Sequence, residues 1–154
     1  MTRFSASNQS AATIHAPRKE IWAALTDPEL LPRLTPYLQR IEVAGDRWTW
    51  HLSKIPLMGA SIGSTFTEVM TFEEPSLIRY EHDPARSEEK TSVSGEYRLE
   101  EVPGGTHVSI RLSVEAELPF PRAMRRPVEG AMGVVMGGMG KVFGRNLLKH
   151  LGAS

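Results

Sequence analysis

The sequence predicts an α+β fold: one curved antiparallel sheet of about seven strands, wrapped on a long C-terminal helix. Three observations predict it. Apolar residues alternate with a period of two from residue 38 to 118. One polar, β-tolerant stretch and two short helical patterns precede that run. After Pro119 and Pro121 the apolar period returns to about 3.6. The strands succeed one another through short turn signals, which favours antiparallel pairing, and one long helix suffices to cover the inner face of such a sheet.

Each element has its own signal. Residues 3–15, RFSASNQSAATIH, read as an extended first strand. APRKEIWAALTDPELLPRLTPYL reads as two short helices in tandem. In the first, Pro17 suits an opening turn and Ile21, Trp22 and Leu25 share a side. In the second, Asp27 is the N-cap, Pro28 follows it, Leu30, Leu31 and Leu34 give the apolar side, and Pro36 ends it. RIEVAGDRWTWHL alternates on both sides of a Gly45-Asp46 turn, with Trp48, Trp50 and Leu52 on one face. KIPLMGASIG reads as a loop because it carries a proline and two glycines. In SIGSTFTEVMTFEE, Phe66, Glu68, Met70 and Phe72 fall together; Glu74-Pro75-Ser76 turns the chain; LIRYEH puts Ile78, Tyr80 and His82 on one side. After the charged loop DPARSEEK, Val93, Gly95, Tyr97 and Leu99 share a face. Pro103-Gly104-Gly105 is the next turn, and THVSIRLSVEAEL alternates from Val108 to Ala116.

The tail poses a puzzle. Met124, Val128, Met132, Val135, Met139, Val142 and Phe143 make one broad helical stripe. Yet GAMGVVMGGMGKVFG holds six glycines in fifteen residues, each costing about 1 kcal/mol against alanine inside a helix. Gly130, Gly133, Gly137, Gly140 and Gly144 recur at helical spacing. Two readings compete. The bare face lets the helix backbone approach its neighbour closely, or it borders a hollow, with adaptable methionines beside it.

Composition excludes several function classes. The 154 residues carry 18 Lys and Arg against 18 Asp and Glu, so the chain lacks the basic field that marks a nucleic-acid binder. There is no cysteine, hence no disulfide and no thiolate chemistry. The N-terminus lacks the pattern of a secretory signal. The longest charge-poor run, between Glu129 and Lys141, is far short of the ~20 residues that span a bilayer. These readings predict one domain over residues 1–154, cytoplasmic, with no transmembrane segment. From Pro119 onward six basic residues face only Glu129. A solvated helix back accounts for them, and peripheral contact with a membrane surface stays open.

Alternation nominates a ligand-contacting set on the inner face and the helix: Trp48, Trp50, Phe66, Glu68, Met70, Tyr80, Tyr97, Met132, Met136, Met139 and Phe143. The few polar members would orient a guest in an apolar hollow. Glu68 and His82 are the candidates for proton transfer, Glu68 because burial raises a carboxyl's pKa and His82 because histidine is the residue type that exchanges protons near neutral pH. Against this, Glu68 could pair with Arg98, and a one-residue register slip would reverse every facing. His15, His51, His82, His107 and His150 lie on separate elements without metal-ligand spacing, and no phosphate loop or nucleophile elbow is present, so no metal and no cofactor is expected.

The order of elements also resembles the START-like, or Bet v 1-like, superfamily, including its polyketide cyclase/dehydrase-like members and those similar to a carbon-monoxide-dehydrogenase subunit. APRKEIWAALTDPELLPRLTP is similar to that family's stretch between the first strand and two small helices. GEYRLEEVPGGTHVSIRLSVEAEL is similar to its last two strands, and the tail from Pro119 to its long helix. The resemblance implies a helix-grip fold with a cavity between sheet and helix. Members bind lipids, sterols, polyketides and plant hormones, and some cyclise or dehydrate polyketides. It transfers no catalytic motif to this chain. Three functions follow as expectations: binding or transport of a small hydrophobic molecule, a cofactor-independent cyclase or dehydrase, or a partner-binding protein with a filled core. The ligand, any catalysis and the oligomeric state are not readable from the residues.

Overall fold

A computed structural model describes residues 2–153. Seven strands form one antiparallel sheet: β1 (Thr2–Ile14), β2 (Leu38–Ala44), β3 (Arg47–Leu57), β4 (Ala60–Glu73), β5 (Leu77–His82), β6 (Thr91–Val102) and β7 (Gly105–Leu118). Their order is β1-β7-β6-β5-β4-β3-β2, so β1 and β2 are the two edges. Two short helices, α1 (Arg18–Leu25) and α2 (Leu31–Leu34), follow β1; a 3-10 turn (Arg122–Met124) leads into α3 (Arg125–Leu151). The sheet curves around α3 in the helix-grip arrangement.

Local chemistry sets the boundaries. Asp27 Oδ1 accepts the Glu29 and Leu30 N–H groups at 3.0 and 3.2 Å, which fixes the turn into α2. At the far end of α3, Gly152 adopts the left-handed region at φ 68°, and the Ala153 N–H reaches the Leu148 carbonyl at 2.9 Å. This satisfies carbonyls the helix would otherwise leave open. Lys149 and His150 lie in that last turn, where positive charge complements the helix dipole.

One segment departs from the sequence reading. KIPLMGASIG is a hairpin tip, not a loop: β3 continues to Leu57, β4 begins at Ala60, and only Met58 and Gly59 turn. Both have positive φ, 48° and 83°, as a tight two-residue hairpin demands. The proline is tolerated because β2 pairs with β3 only as far as Leu52, so Pro56 lies where β3 is an edge.

The core is divided. Around the C-terminal end of α3, Leu147 packs with Ile21, Trp22, Leu25, Leu31 and Leu34 from the short helices and with the inner face of the sheet. Around its N-terminal end, Val128 and Met132 pack with Phe4, Leu57, Ala116 and Leu118. Val128, Met132 and Leu147 are the buried residues of this 27-residue helix. Val142, placed in the apolar stripe by its spacing, is exposed, as is Phe72 at the sheet's end. The helix is fastened at both ends and bridges the space between.

The glycine face is placed by Glu129. Its carboxylate accepts the Ser5 N–H of β1 at 2.7 Å and Arg125 Nη1 at 3.1 Å. Gly133, Gly137, Gly140 and Gly144 follow Glu129 at spacings of four, four, three and four, so they look toward the β1 edge. They do not touch it: a Cβ built on any of them meets nothing within 4 Å. The close-approach reading therefore fails, and the glycines face open space.

Candidate functional site

Between the sheet and the middle of α3 lies a cavity of about 590 Å³. That is the size of a small-molecule site, commonly about 300–1,000 Å³. Its floor is the sheet. Phe66, Met70, Ile78, Val93 and Ile110 come from alternate positions on four strands, because the pleat sends every second side chain to the concave face. Its roof is Met132, Val135, Met136, Met139 and Phe143, with the backbone of Gly137 and Gly140 beside them. Leu25, Leu31 and Leu38 close one end, and Leu57 with Leu118 the other.

Besides Asn8, Ser10, Thr35, Ser64, Thr91 and Lys141, the lining holds a group of polar side chains on the central strands. Glu68 on β4 is 1 % exposed, and its Oε2 has no hydrogen-bond partner among the described residues. Among the described residues it forms no ion pair: Arg98, the partner that sequence suggests, bonds to Glu96 instead, and His82, opposite it in register, turns to the Arg86 carbonyl and Glu89. Burial accordingly pushes the Glu68 carboxyl well above the usual carboxylate range. Tyr80 and Tyr97 stand close together on β5 and β6, their ring centroids 5.9 Å apart. Burial raises the Tyr97 hydroxyl to about 12, with the nearby Glu68 charge adding to it, and burial raises Tyr80 as well. Tyr80 lies across the bare backbone of Gly95, directly opposite it in register. Trp50 stacks on Phe66 at 6.2 Å and 12°, and its Nε1 is shielded and unpartnered among the described residues.

The nominated residues separate cleanly. Trp50, Phe66, Glu68, Met70, Tyr80, Tyr97, Met132, Met136, Met139 and Phe143 all line the cavity. Trp48 does not. It is buried in the core against Phe72 and Trp50, at 5.9 and 6.0 Å, although its register partner Glu68 lines the cavity. His82 is also outside. It sits at the end of β5, where its Nε2 lies 3.0 Å from the Arg86 carbonyl and its Nδ1 3.8 Å from Glu89. The returning loop captures it, and Glu68 alone of the two proton-transfer candidates reaches the cavity.

Sequence reasoning missed part of the lining. Ile55 and Ile62 belong to it, from the hairpin read as a loop; alternation across Pro56 was the available signal. Asn8 and Ser10 of β1 belong to it too. Their polarity concealed that this end of β1 faces a cavity open toward the glycine flank rather than a packed core. Among the described residues no cluster of three His, Asp or Glu side chains is arranged to hold a metal, and no helix is long and apolar enough to cross a membrane.

Comparison with known proteins agrees with this geometry. A family model described as polyketide cyclase / dehydrase and lipid transport matches residues 1–147. Among solved structures, a START superfamily protein from Mycobacterium smegmatis is 14% identical, with a TM-score of 0.68 over 94% of this chain and 96% of that one. A protein from Deinococcus radiodurans is 24% identical, with a TM-score of 0.57 over 88% and 93%. The Zhui aromatase/cyclase of a Streptomyces species is 13% identical, with a TM-score of 0.66 over 96% and 93%. At such identities these structures share the fold. No curated protein matches the sequence.

Proposed function

Because the chain belongs to the polyketide cyclase/dehydrase and lipid transport family, with its START-like helix-grip fold, we propose that it binds or carries a small hydrophobic molecule, lipid- or polyketide-like, between the sheet and α3. The observation that carries this is the cavity itself. A space of about 590 Å³ lined by Phe66, Met70, Ile78, Val93, Met136 and Phe143 is apolar over most of its wall. Removing such apolar surface from water returns roughly 25 cal/mol per Å². The cavity also leaves the filled-core reading without its premise.

Native mass spectrometry of freshly purified protein tests the proposal, together with titration by the neutral fluorophore N-phenylnaphthylamine. The expected result is a copurifying apolar adduct, or saturable uptake of one fluorophore per chain that Met136→Trp reduces by filling the space. Absence of both adduct and uptake would refute it.

One observation favours catalysis as a second reading. Glu68 is a buried carboxyl in the cavity wall with no ion-pair partner among the described residues, and its burial favours the protonated form. A general acid needs that form, and a substrate carbonyl or leaving hydroxyl could receive the proton. Assay against polyketide-like β-hydroxy ketones decides it. Turnover abolished by Glu68→Gln with binding retained would establish the enzyme; binding without turnover in wild type would leave a carrier.

A further inference from the structure

The cavity is apolar over most of its roof and ends, with Lys141 and Thr35 as exceptions, but its sheet wall carries unpartnered hydrogen-bonding atoms. Glu68 Oε2 and Trp50 Nε1 are both shielded from solvent and bonded to nothing among the described residues. A buried polar atom in that state costs about 1–3 kcal/mol. The two residues are neighbours on the concave face: Trp50 pairs with Phe66 across β3 and β4, and Glu68 is the next inward residue of β4. Tyr80 and Tyr97 extend the same wall.

The chemistry of these atoms is specific. Indole Nε1–H only donates. A protonated carboxyl donates through its hydroxyl. Among the described residues no cation is placed to hold Glu68 ionised: Lys141, the sole Lys or Arg of the lining, is an exposed residue of α3, and His82, opposite Glu68 in register, turns its ring nitrogens to the Arg86 carbonyl and Glu89. We propose that this wall is a subsite for an uncharged oxygen acceptor, such as a ketone or ester carbonyl, on an otherwise apolar ligand. It selects such ligands over the matching hydrocarbon, carboxylate and amine. A hydrocarbon leaves both donors unsatisfied. A carboxylate must shed its water with no cation to meet it. An amine would have to ionise Glu68, desolvating two charges, and would still leave the Trp50 N–H without an acceptor.

This inference rests on the cavity-binding reading, and the experiment separates the two. The full chain is loaded with N-phenylnaphthylamine, which is displaced by acetylnaphthalene, ethylnaphthalene, naphthoate and naphthylmethylamine. The ketone should compete about tenfold better than the hydrocarbon, and better than either charged compound. Trp50→Phe and Glu68→Leu should each remove most of that preference, with ethylnaphthalene affinity held within about twofold. Glu68→Gln should keep it, because the amide N–H still donates. Trp50→Phe retains an aromatic ring at the site, so it remains informative if Glu68→Leu fails to fold. Equal competition by ketone and hydrocarbon, or a preference that survives both substitutions, would overturn the subsite while leaving the binding cavity intact. Preference for the amine would also overturn it. Failure of the fluorophore to bind at all would remove the cavity reading and the subsite together.

Discussion

Two glycines of the sheet, Gly95 and Gly105, and the glycines of the long helix stand in opposite surroundings. A Cβ on Gly95 would collide with the Arg111 carbonyl oxygen and lie 2.9 Å from the Tyr80 hydroxyl; one on Gly105 would collide with the Ile14 carbonyl. A Cβ on Gly130, Gly133, Gly137, Gly138, Gly140 or Gly144 would meet nothing within 4 Å. At Gly95 and Gly105, then, backbone contacts demand glycine. In α3 no contact demands it, although each one weakens the helix. The difference teaches where the molecule is solid and where it is hollow. The helix is held by Val128 and Met132 at one end and Leu147 at the other, and its weak middle spans the cavity.

The strongest way to break this contrast is Gly95→Ala. The collision is with main chain, which cannot step aside as a flexible side chain can, so β6 and β7 must part or Tyr80 must leave its place. Destabilisation should be about 3 kcal/mol or more, read by urea denaturation. Stability within error of wild type would mean that the sheet is not packed as tightly here as the geometry requires.

Next in size is the contrast between an anchor and the roof. Leu147→Ala empties a buried site and should cost roughly 2–5 kcal/mol. Met139→Ala removes a half-buried side chain from the cavity wall and should cost less than half as much, while weakening fluorophore binding. Equal losses at the two positions would show that the middle of α3 is packed like its ends.

The same division decides what was legible beforehand. Alternation from Trp48 to Ala116 and the stripe of α3 revealed the fold, because burial of one face writes a period into the sequence. It also nominated most of the cavity wall, since a lining residue and a core residue obey the same period. For that reason it could not separate Trp48, which is core, from Trp50, which is wall. His82 has the right parity and stands opposite Glu68 in register, but its ring is held by the Arg86 carbonyl and Glu89 of the following loop, which no period records. The glycines were visible, but their surroundings were not: spacing defines a face without saying whether anything stands opposite it.

Glu68 supplies a third test, by pH. Its carboxyl keeps its proton in the folded protein above the ordinary glutamate value of 4.5, because burial raises it. The unfolded chain releases that proton first. Between those two points the folded state binds more protons, so stability falls as pH rises, by at most about 1.4 kcal/mol per pH unit. Glu68→Gln removes this slope. The variant should match wild type most closely near pH 4 and gain on it as pH increases, read by denaturant melts across the range. A constant difference at every pH would mean that Glu68 is ionised in the folded state, and the oxygen-acceptor subsite would lose its donor.

The smallest expected effect is the most direct probe of the hollow. Gly133→Ala and Gly140→Ala add a methyl where nothing stands within 4 Å. With no clash to offset it, each should stabilise the protein by up to about 1 kcal/mol through helix propensity alone. Both positions look toward β1, where Asn8 and Ser10 lie on the cavity lining. A stiffer helix should therefore slow exchange of a bound fluorophore, measured by stopped-flow displacement, while leaving its affinity nearly unchanged. Stabilisation with unaltered exchange would place ligand passage elsewhere, at the α1–α2 end for instance. Destabilisation would contradict the open glycine flank itself, because only an unseen contact could turn alanine from a better helix former into a worse one.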